Sequence, residues 1–305
     1  MTTKNLRELC IHFGILLLMK PNNRWTNVYW KYTFKCVQDV TCLCWSPCYN
    51  DMFAASFGSY NFYNQPDSGT ICVFSLKNCC YPEYVLSAPA PVLSIDFHPS
   101  HPYMMVAGLQ DGNVAVYNLI KNRESPVLVS DLTNGKHSEI VWSVTWSQDD
   151  IESNLNFFSC SADGGVTQWT VVHKTILRFT RIFDFTFNKV LENISEKNVA
   201  LSDGVTVVSF CPSDQDSYYV GTEDGYLHMC TVHYSSTTLL SYRAHNTPVR
   251  TIAWNCFIPE TFLTVATEMS IKIWRKGEKD PLFIFELKNQ VSQSNSKLCK
   301  TFRTV

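Results

Sequence analysis

The sequence predicts an all-β chain folded as a β-propeller, and three observations predict it. A turn followed by an alternating apolar strand recurs five times. An aromatic residue that closes another strand recurs in step with it. The composition is 45% hydrophobic and 13% aromatic with 17% charged residues, which suits a large core of pleated strands rather than disorder.

The turn-and-strand unit is plainest in "NLNFFSCSADGGVTQWTV", residues 154–171, where Trp169 follows Asp163. Asp111 stands in the same relation to Tyr117, Asp224 to Cys230, Ser68 to Phe74 and Glu268 to Trp274. Upstream runs a second column: Trp45, Phe97, Trp146, Phe210 and Trp254 each end an alternating strand and precede a turn. Their spacings are 52, 49, 64 and 44 residues. A third strand lies between the columns, as in "YMMVAGL" and "SYYVGTE". Four-stranded units of roughly 40–45 residues or more are the signature of a WD40-type propeller. Each small sheet has two apolar faces, and radial stacking buries them. The Asp-Gly pairs supply the positive φ of a tight hairpin.

The predicted blades lie around 37–77, 89–120, 137–172, 203–233 and 245–275, within a propeller domain spanning 25–290. A divergent segment, 1–24, precedes it and a polar tail, 291–305, follows. Residues 23–36 read as a strand of an earlier unit whose Trp25, Trp30 and Tyr32 pack on the first blade. Part of 173–203 reads as the first strand of the fourth blade, and "DPLFIFELKNQ" after Trp274 as the first strand of a sixth unit. No anchor aromatic follows it, so at least five blades in an incomplete ring are expected.

The repeats depart from a strict WD40 pattern. The residue that ends each turn-and-strand unit (Phe74, Tyr117, Trp169, Cys230 or Trp274) is followed by Ser75, Asn118, Thr170, Thr231 or Arg275, never by Asp. Lys136-His137 and Ala244-His245 replace the Gly-His dipeptide. The buried His–Asp network is therefore expected to be incomplete, leaving more of the stability to packing. Thr267-Glu268-Met269 predicts relaxed turn geometry in the last blade. Trp45, Phe97, Trp146, Phe210, Trp254, Tyr117, Trp169 and Trp274 are assigned blade-structural roles, as are the turn acids Asp111, Asp163 and Asp224.

No catalytic, cofactor or metal site is expected. The 13 cysteines are an odd number in a long chain, which argues for reduced, buried thiols in a cytosolic protein. Cys36, Cys42, Cys44 and Cys48 are dense but form no paired zinc knuckle. The eight histidines do not group in the sequence; His98 and His101 flank a turn at Pro99, and His137 and His245 read as structural. Phosphate loops, nucleophile elbows and zincin motifs are missing. A propeller enzyme would need a central cluster of acids and histidines, whereas the inward positions read Val, Ala, Ser and Cys. A net charge of −2 argues against nucleic acid or an anionic membrane. The apolar run in "CIHFGILLLMK" is shorter than a membrane span and lacks a cleavage site.

Several stretches resemble the WD-repeat region of axonemal dynein intermediate chains, and most of all the outer-arm intermediate chain 1 type. They are "LCWSPCYNDMFAASFGSYNF", "SLKNCCYPEYVLSA", "DGNVAVYNL", "GKHSEIVWSVTW", "NLNFFSCSADGGVTQWTV", "VGTEDGYLHMC" and "AHNTPVRTIAWN". The Gly58-Ser59-Tyr60 loop with Phe62 and the Ser75–Asn78 run with Pro82-Glu83-Tyr84 are its more specific parts. The resemblance implies a non-catalytic motor subunit in the cytoplasm and cytoskeleton, at the axoneme of cilia and flagella. It implies docking on a dynein heavy-chain tail beside a second intermediate chain. The resemblance leaves dynein light chains as doubtful partners, because the family's light-chain-binding extension is not matched in this sequence. The alternative is a WD-repeat adaptor in cytoplasmic dynein-arm preassembly or transport.

Overall fold

The computed structural model describes residues 8–15, 28–35, 38–60, 67–78, 81–122, 124–150, 152–172, 176–185, 204–232, 238–255 and 257–286, with side chains from residue 38 onward. The strands β1 (Glu8–Ile15) and β2 (Val28–Lys35) form a two-stranded antiparallel sheet. Five four-stranded antiparallel sheets follow.

Blade 1 comprises β3 (Asp39–Trp45), β4 (Met52–Gly58), β5 (Gly69–Ser75) and β6 (Tyr84–Ala88). Blade 2 comprises β7 (Val92–Phe97), β8 (Met104–Leu109), β9 (Val114–Asn118) and β10 (Leu128–Val129). Blade 3 holds β11 (Val141–Trp146), β12 (Leu155–Ser161), β13 (Gly165–Val172) and β14 (Ile176–Asp184). Blade 4 holds β15 (Val205–Cys211), β16 (Asp214–Thr222), β17 (Tyr226–Thr231) and β18 (Leu240–Arg243). Blade 5 is built of β19 (Val249–Trp254), β20 (Thr261–Ala266), β21 (Ser270–Arg275) and β22 (Phe283–Glu286). The first strand of each blade packs against the first strand of the next, which makes it the inner strand.

The register explains the two columns in the sequence: they are the ends of one cross-strand row. Trp45, Phe53 and Phe74 stand side by side in blade 1. Phe97, Met105 and Tyr117 do so in blade 2. The rows in blades 3, 4 and 5 are Trp146–Phe157–Trp169, Phe210–Tyr218–Cys230 and Trp254–Phe262–Trp274. From blade 2 onward, each row faces the preceding blade. Tyr117 buries against Ile71 and Leu86, and Trp169 against Val114 and Val116. Large rings thus meet aliphatic side chains between blades 1, 2 and 3, and further rings between the later blades, as where Phe210 lies 4.5 Å from Phe158 and Trp274 5.1 Å from Tyr242. Aromatic neighbours within the rows lie 4.9–6.0 Å apart, as in Trp254–Phe262 and Phe157–Trp169, and gain edge and stacking contacts beyond area burial.

Asp96 in β7 ties neighbouring blades together. Its Oδ2 accepts from the backbone N–H of Trp146 at 2.9 Å, its carbonyl accepts from Trp146 Nε1 at 3.0 Å, and its Oδ1 lies 3.5 Å from Cys44 Sγ.

Two of the sequence expectations are corrected. Residues 176–184 form β14, the outer strand of blade 3, and not the first strand of blade 4. Residues 283–286 likewise form β22, the outer strand of blade 5. The reason is connectivity: a short link returns each strand antiparallel beside the one just made, so hairpin pairing within the blade precedes any pairing across blades. In sequence terms, the leading strand of each unit belongs to the preceding blade. The expected packing of Trp25, Trp30 and Tyr32, and residues 186–203, lie outside the described residues.

Candidate functional site

The hairpins between the second and third strands gather at one end of the blades, beside the starts of the inner strands. Blade 3 shows how the sequence builds this end. Gly164 takes φ +76°, and Asp163 Oδ1 accepts the Gly165 N–H at 2.9 Å. The other carboxylate oxygen, Oδ2, lies 3.2 Å from His137 Nδ1 and accepts the Ser138 N–H at 3.1 Å. His137 Nε2 lies 2.6 Å from Ser159 Oγ, which also accepts from Trp169 Nε1 at 2.7 Å. With a neutral imidazole every donor is satisfied in one direction: Trp169 N–H to Ser159, the Ser159 hydroxyl to His137 Nε2, and His137 Nδ1–H to Asp163. Burial pushes the Asp163 carboxyl up, but His137, the Gly165 N–H and Arg181 hold it down at about 2.

Blade 5 repeats the arrangement with different residues. His245 Nδ1 lies 2.9 Å from Glu268 Oε1, its Nε2 lies 2.7 Å from Thr264 Oγ1, and Trp274 Nε1 donates to that hydroxyl at 2.8 Å. Ser270 Oγ donates to Glu268 at 2.6 Å. Burial holds His245 below the ordinary histidine range, with Glu268 pulling against it. The expected incomplete network is therefore corrected for blades 3 and 5, which each contain a full chain of histidine, hydroxyl, tryptophan and carboxylate. The missing Asp after the aromatic does not matter, because the hairpin acid supplies the carboxylate. The expected relaxed turn is corrected too. Met269 adopts φ +62°, the left-handed conformation that glycine holds at 112, 164 and 225.

The remaining assigned residues lie as follows. Phe97, Tyr117, Trp146, Trp169 and Trp274 are buried, while Trp45, Phe210 and Trp254 are half-buried. Asp111 Oδ1 accepts the Asn113 N–H at 3.0 Å, and its Oδ2 lies 3.8 Å from Lys136 Nζ. Asp224 precedes Gly225, whose φ is +82°.

Sequence reasoning missed two features. The pair His98 and His101 meets Asp149 of the next blade, at 2.8 Å and 4.0 Å. His98 Nδ1 accepts two backbone N–H groups, from Ser100 and His101. His98 therefore fixes its own turn and ties blade 2 to blade 3. Their separation along the chain hid this. The second feature is a bulge at the same place in every inner strand, leaving Thr41, Leu93, Trp142, Thr206 and Arg250 outside the ladders. Among the described residues no group of three histidine, cysteine or acidic side chains could hold a metal ion. No helix there is long and apolar enough to cross a membrane.

The family model for the WD domain, G-beta repeat, matches residues 80–118. The chain is 38% identical over 248 residues to dynein axonemal intermediate chain 1 of Bos taurus, covering 81% of this chain and 35% of that protein. It is 36% identical over 266 residues to the ciliary dynein intermediate chain 2 of Heliocidaris crassispina, covering 86% and 38%. The chain is a homologue of the axonemal dynein intermediate chains. Similarity extends to the 78 kDa intermediate chain of the flagellar outer arm dynein of Chlamydomonas reinhardtii, at 34% identity over 76% of this chain and 34% of that protein. This intermediate-chain homologue thus spans about a third of the length of the relatives it matches. Its fold is similar to the crystal structure of the Myceliophteria thermophila Cps50 (Swd1) β-propeller domain, with a TM-score of 0.60 at 12% identity over 82% of this chain and 72% of that one. The hairpin residues His137, Asp163 and Trp169 lie in stretches that carried the resemblance in the sequence.

Proposed function

We propose that this chain is a non-catalytic WD-repeat scaffold of an axonemal outer-arm dynein. It docks on the heavy-chain tail, beside a second intermediate chain, and serves ciliary or flagellar microtubule-based movement at the axoneme. The observation that supports this is the 38% identity to an axonemal intermediate chain over 81% of the chain. The buried hydrogen-bond chains in blades 3 and 5 add to it. They hold the hairpins and the loops between blades in fixed positions, and such loops on a rigid scaffold are where partners bind. Residues 25–290 act as the docking unit in this reading.

The test is affinity purification of the tagged chain from motile ciliated cells, read by mass spectrometry. Dynein heavy chain and a second intermediate chain in the eluate are the expected result. Recovery of chaperones without heavy chain would replace the reading with that of a cytoplasmic preassembly adaptor.

A further inference from the structure

Arg250 and Trp142 are both bulge residues, in blades 5 and 3, and they meet across blade 4. The guanidinium carbon of Arg250 lies 5.0 Å from the centroid of the Trp142 ring. The other bulge residues are occupied differently. Thr41 Oγ1 donates to the Val92 carbonyl at 2.6 Å, Thr206 Oγ1 donates to the Val249 carbonyl, and Leu93 is buried. Those two hydroxyls tie each blade to the next at the start of the inner strands.

Arg250 has no such engagement. Among the described residues it donates no hydrogen bond and forms no ion pair; its guanidinium lies over the Trp142 ring, within electrostatic reach of Tyr60. Other cations at this end are used: Lys136 lies by Asp111, Arg181 by Asp163, and Lys272 donates to the Ala244 carbonyl. The stack on Trp142 fixes the plane of the guanidinium and leaves its N–H edge unpaired. Trp142 Nε1 is a second donor there, buried and without a partner. Tyr60, from blade 1, completes the surround; its hydroxyl donates to the Thr41 carbonyl at 3.0 Å. Burial raises the Tyr60 phenol, and the Arg250 charge acts to lower it.

A half-buried guanidinium with no acceptor calls for one. We propose that Arg250, held on Trp142 beside Tyr60, is an anchor for a single carboxylate, the Asp or Glu side chain of a partner polypeptide. The nearby charge bears on the choice of ligand. Asp39 acts on Tyr60 with the opposite sign to Arg250, and a nearby carboxylate disfavours a dianionic phosphate more than a single carboxylate. This site goes beyond the proposed docking on a heavy chain and stands whether or not a heavy chain is the partner.

The test is a titration of the full 305-residue chain, labelled with nitrogen-15, read at the arginine Nε–H and indole N–H signals. The probes are the blocked peptide Ac-Lys-Gly-Glu-Gly-Lys-NH2 and its glutamine and phosphoserine counterparts. The glutamate peptide is expected to shift the Arg250 and Trp142 signals saturably. The glutamine peptide should bind at least about tenfold more weakly, as loss of a charge-assisted bond requires. Arg250→Gln should lose the binding and Arg250→Lys should keep part of it. Equal binding of the glutamine peptide, undiminished binding to Arg250→Gln, or no saturable shift would overturn the proposal. Tighter binding of the phosphoserine peptide would overturn the carboxylate assignment. If Arg250→Gln does not fold, the peptide comparison on the unaltered chain decides.

Discussion

Glu268 Oε1 lies 2.9 Å from His245 Nδ1, the place that Asp163 takes beside His137 in blade 3. The longer side chain makes the same bond, and Ser270 Oγ, itself 2.9 Å from His245 Nδ1, donates to the same carboxylate oxygen at 2.6 Å. The two blades therefore reach one hydrogen-bond chain with different residues, and that equivalence can be tested.

The hydroxyl at the centre of each chain is the sensitive point. Ser159→Ala removes the acceptor of Trp169 Nε1 and the partner of His137 Nε2, both buried. A loss of about 2–4 kcal/mol is expected, since an orphaned buried polar group costs about 1–3 kcal/mol. Ser159→Thr keeps the hydroxyl, as Thr264 does in blade 5, and should cost less than Ser159→Ala. Urea unfolding of the three proteins checks the order.

Stability should fall on acidification in two steps. The folded state keeps His245 below its ordinary value of 6.5, so folding favours the neutral ring. That contribution is present above 6.5 and is lost as pH falls below it. Glu268 and Asp163 are held below 4.5 and 3.8. Their contribution is present above those values and is lost as pH falls toward about 2 for Asp163. Melting temperature measured from pH 7 to 3 should decline throughout. His245→Asn should melt lower than the parent chain at pH 7, with the gap narrowing by pH 5. A gap that widens on acidification would contradict the assigned sign.

The hairpins at Met269 and Gly225 should respond in opposite directions. Met269 holds φ +62° with a side chain that is 37% exposed. Met269→Gly relieves a left-handed conformation that costs roughly 1 kcal/mol, less the extra entropy of glycine in the unfolded chain. The expected result is a stability equal to or slightly above that of the parent chain. Gly225→Ala combines φ +82° with a Cβ that would collide with the His245 carbonyl oxygen. It should be destabilised by about 2 kcal/mol or more. Thermal melts of both variants test the contrast.

Phe285 of β22 pairs with Ile271 and holds the place that Leu86 holds in blade 1 and Tyr242 in blade 4. Those two are 0% and 8% exposed, whereas Phe285 is 53% and its neighbour Phe283 is 61% exposed. An open apolar face of this kind promotes association. Phe283→Ser with Phe285→Ser should lower hydrophobic-dye binding and light scattering while leaving the melting temperature within a few degrees. Unchanged dye binding would show that the face is covered in solution.

The sequence by itself determined the blade rows and hairpins. Alternation of period two and the two aromatic columns are local patterns, and the row Trp146–Phe157–Trp169 follows from them by register alone. Asp163 and His137 were legible as recurring positions, but not as partners. Which blade owns an outer strand was decided only by the tertiary structure, because β14 and β22 look alike whether they pair backward or forward. The same holds for the long-range contacts. Ser159 between His137 and Trp169, Asp149 beside His98, and Arg250 over Trp142 join residues far apart in the chain. Radial stacking of the blades brings them together, and no spacing in the sequence encodes a distance between blades.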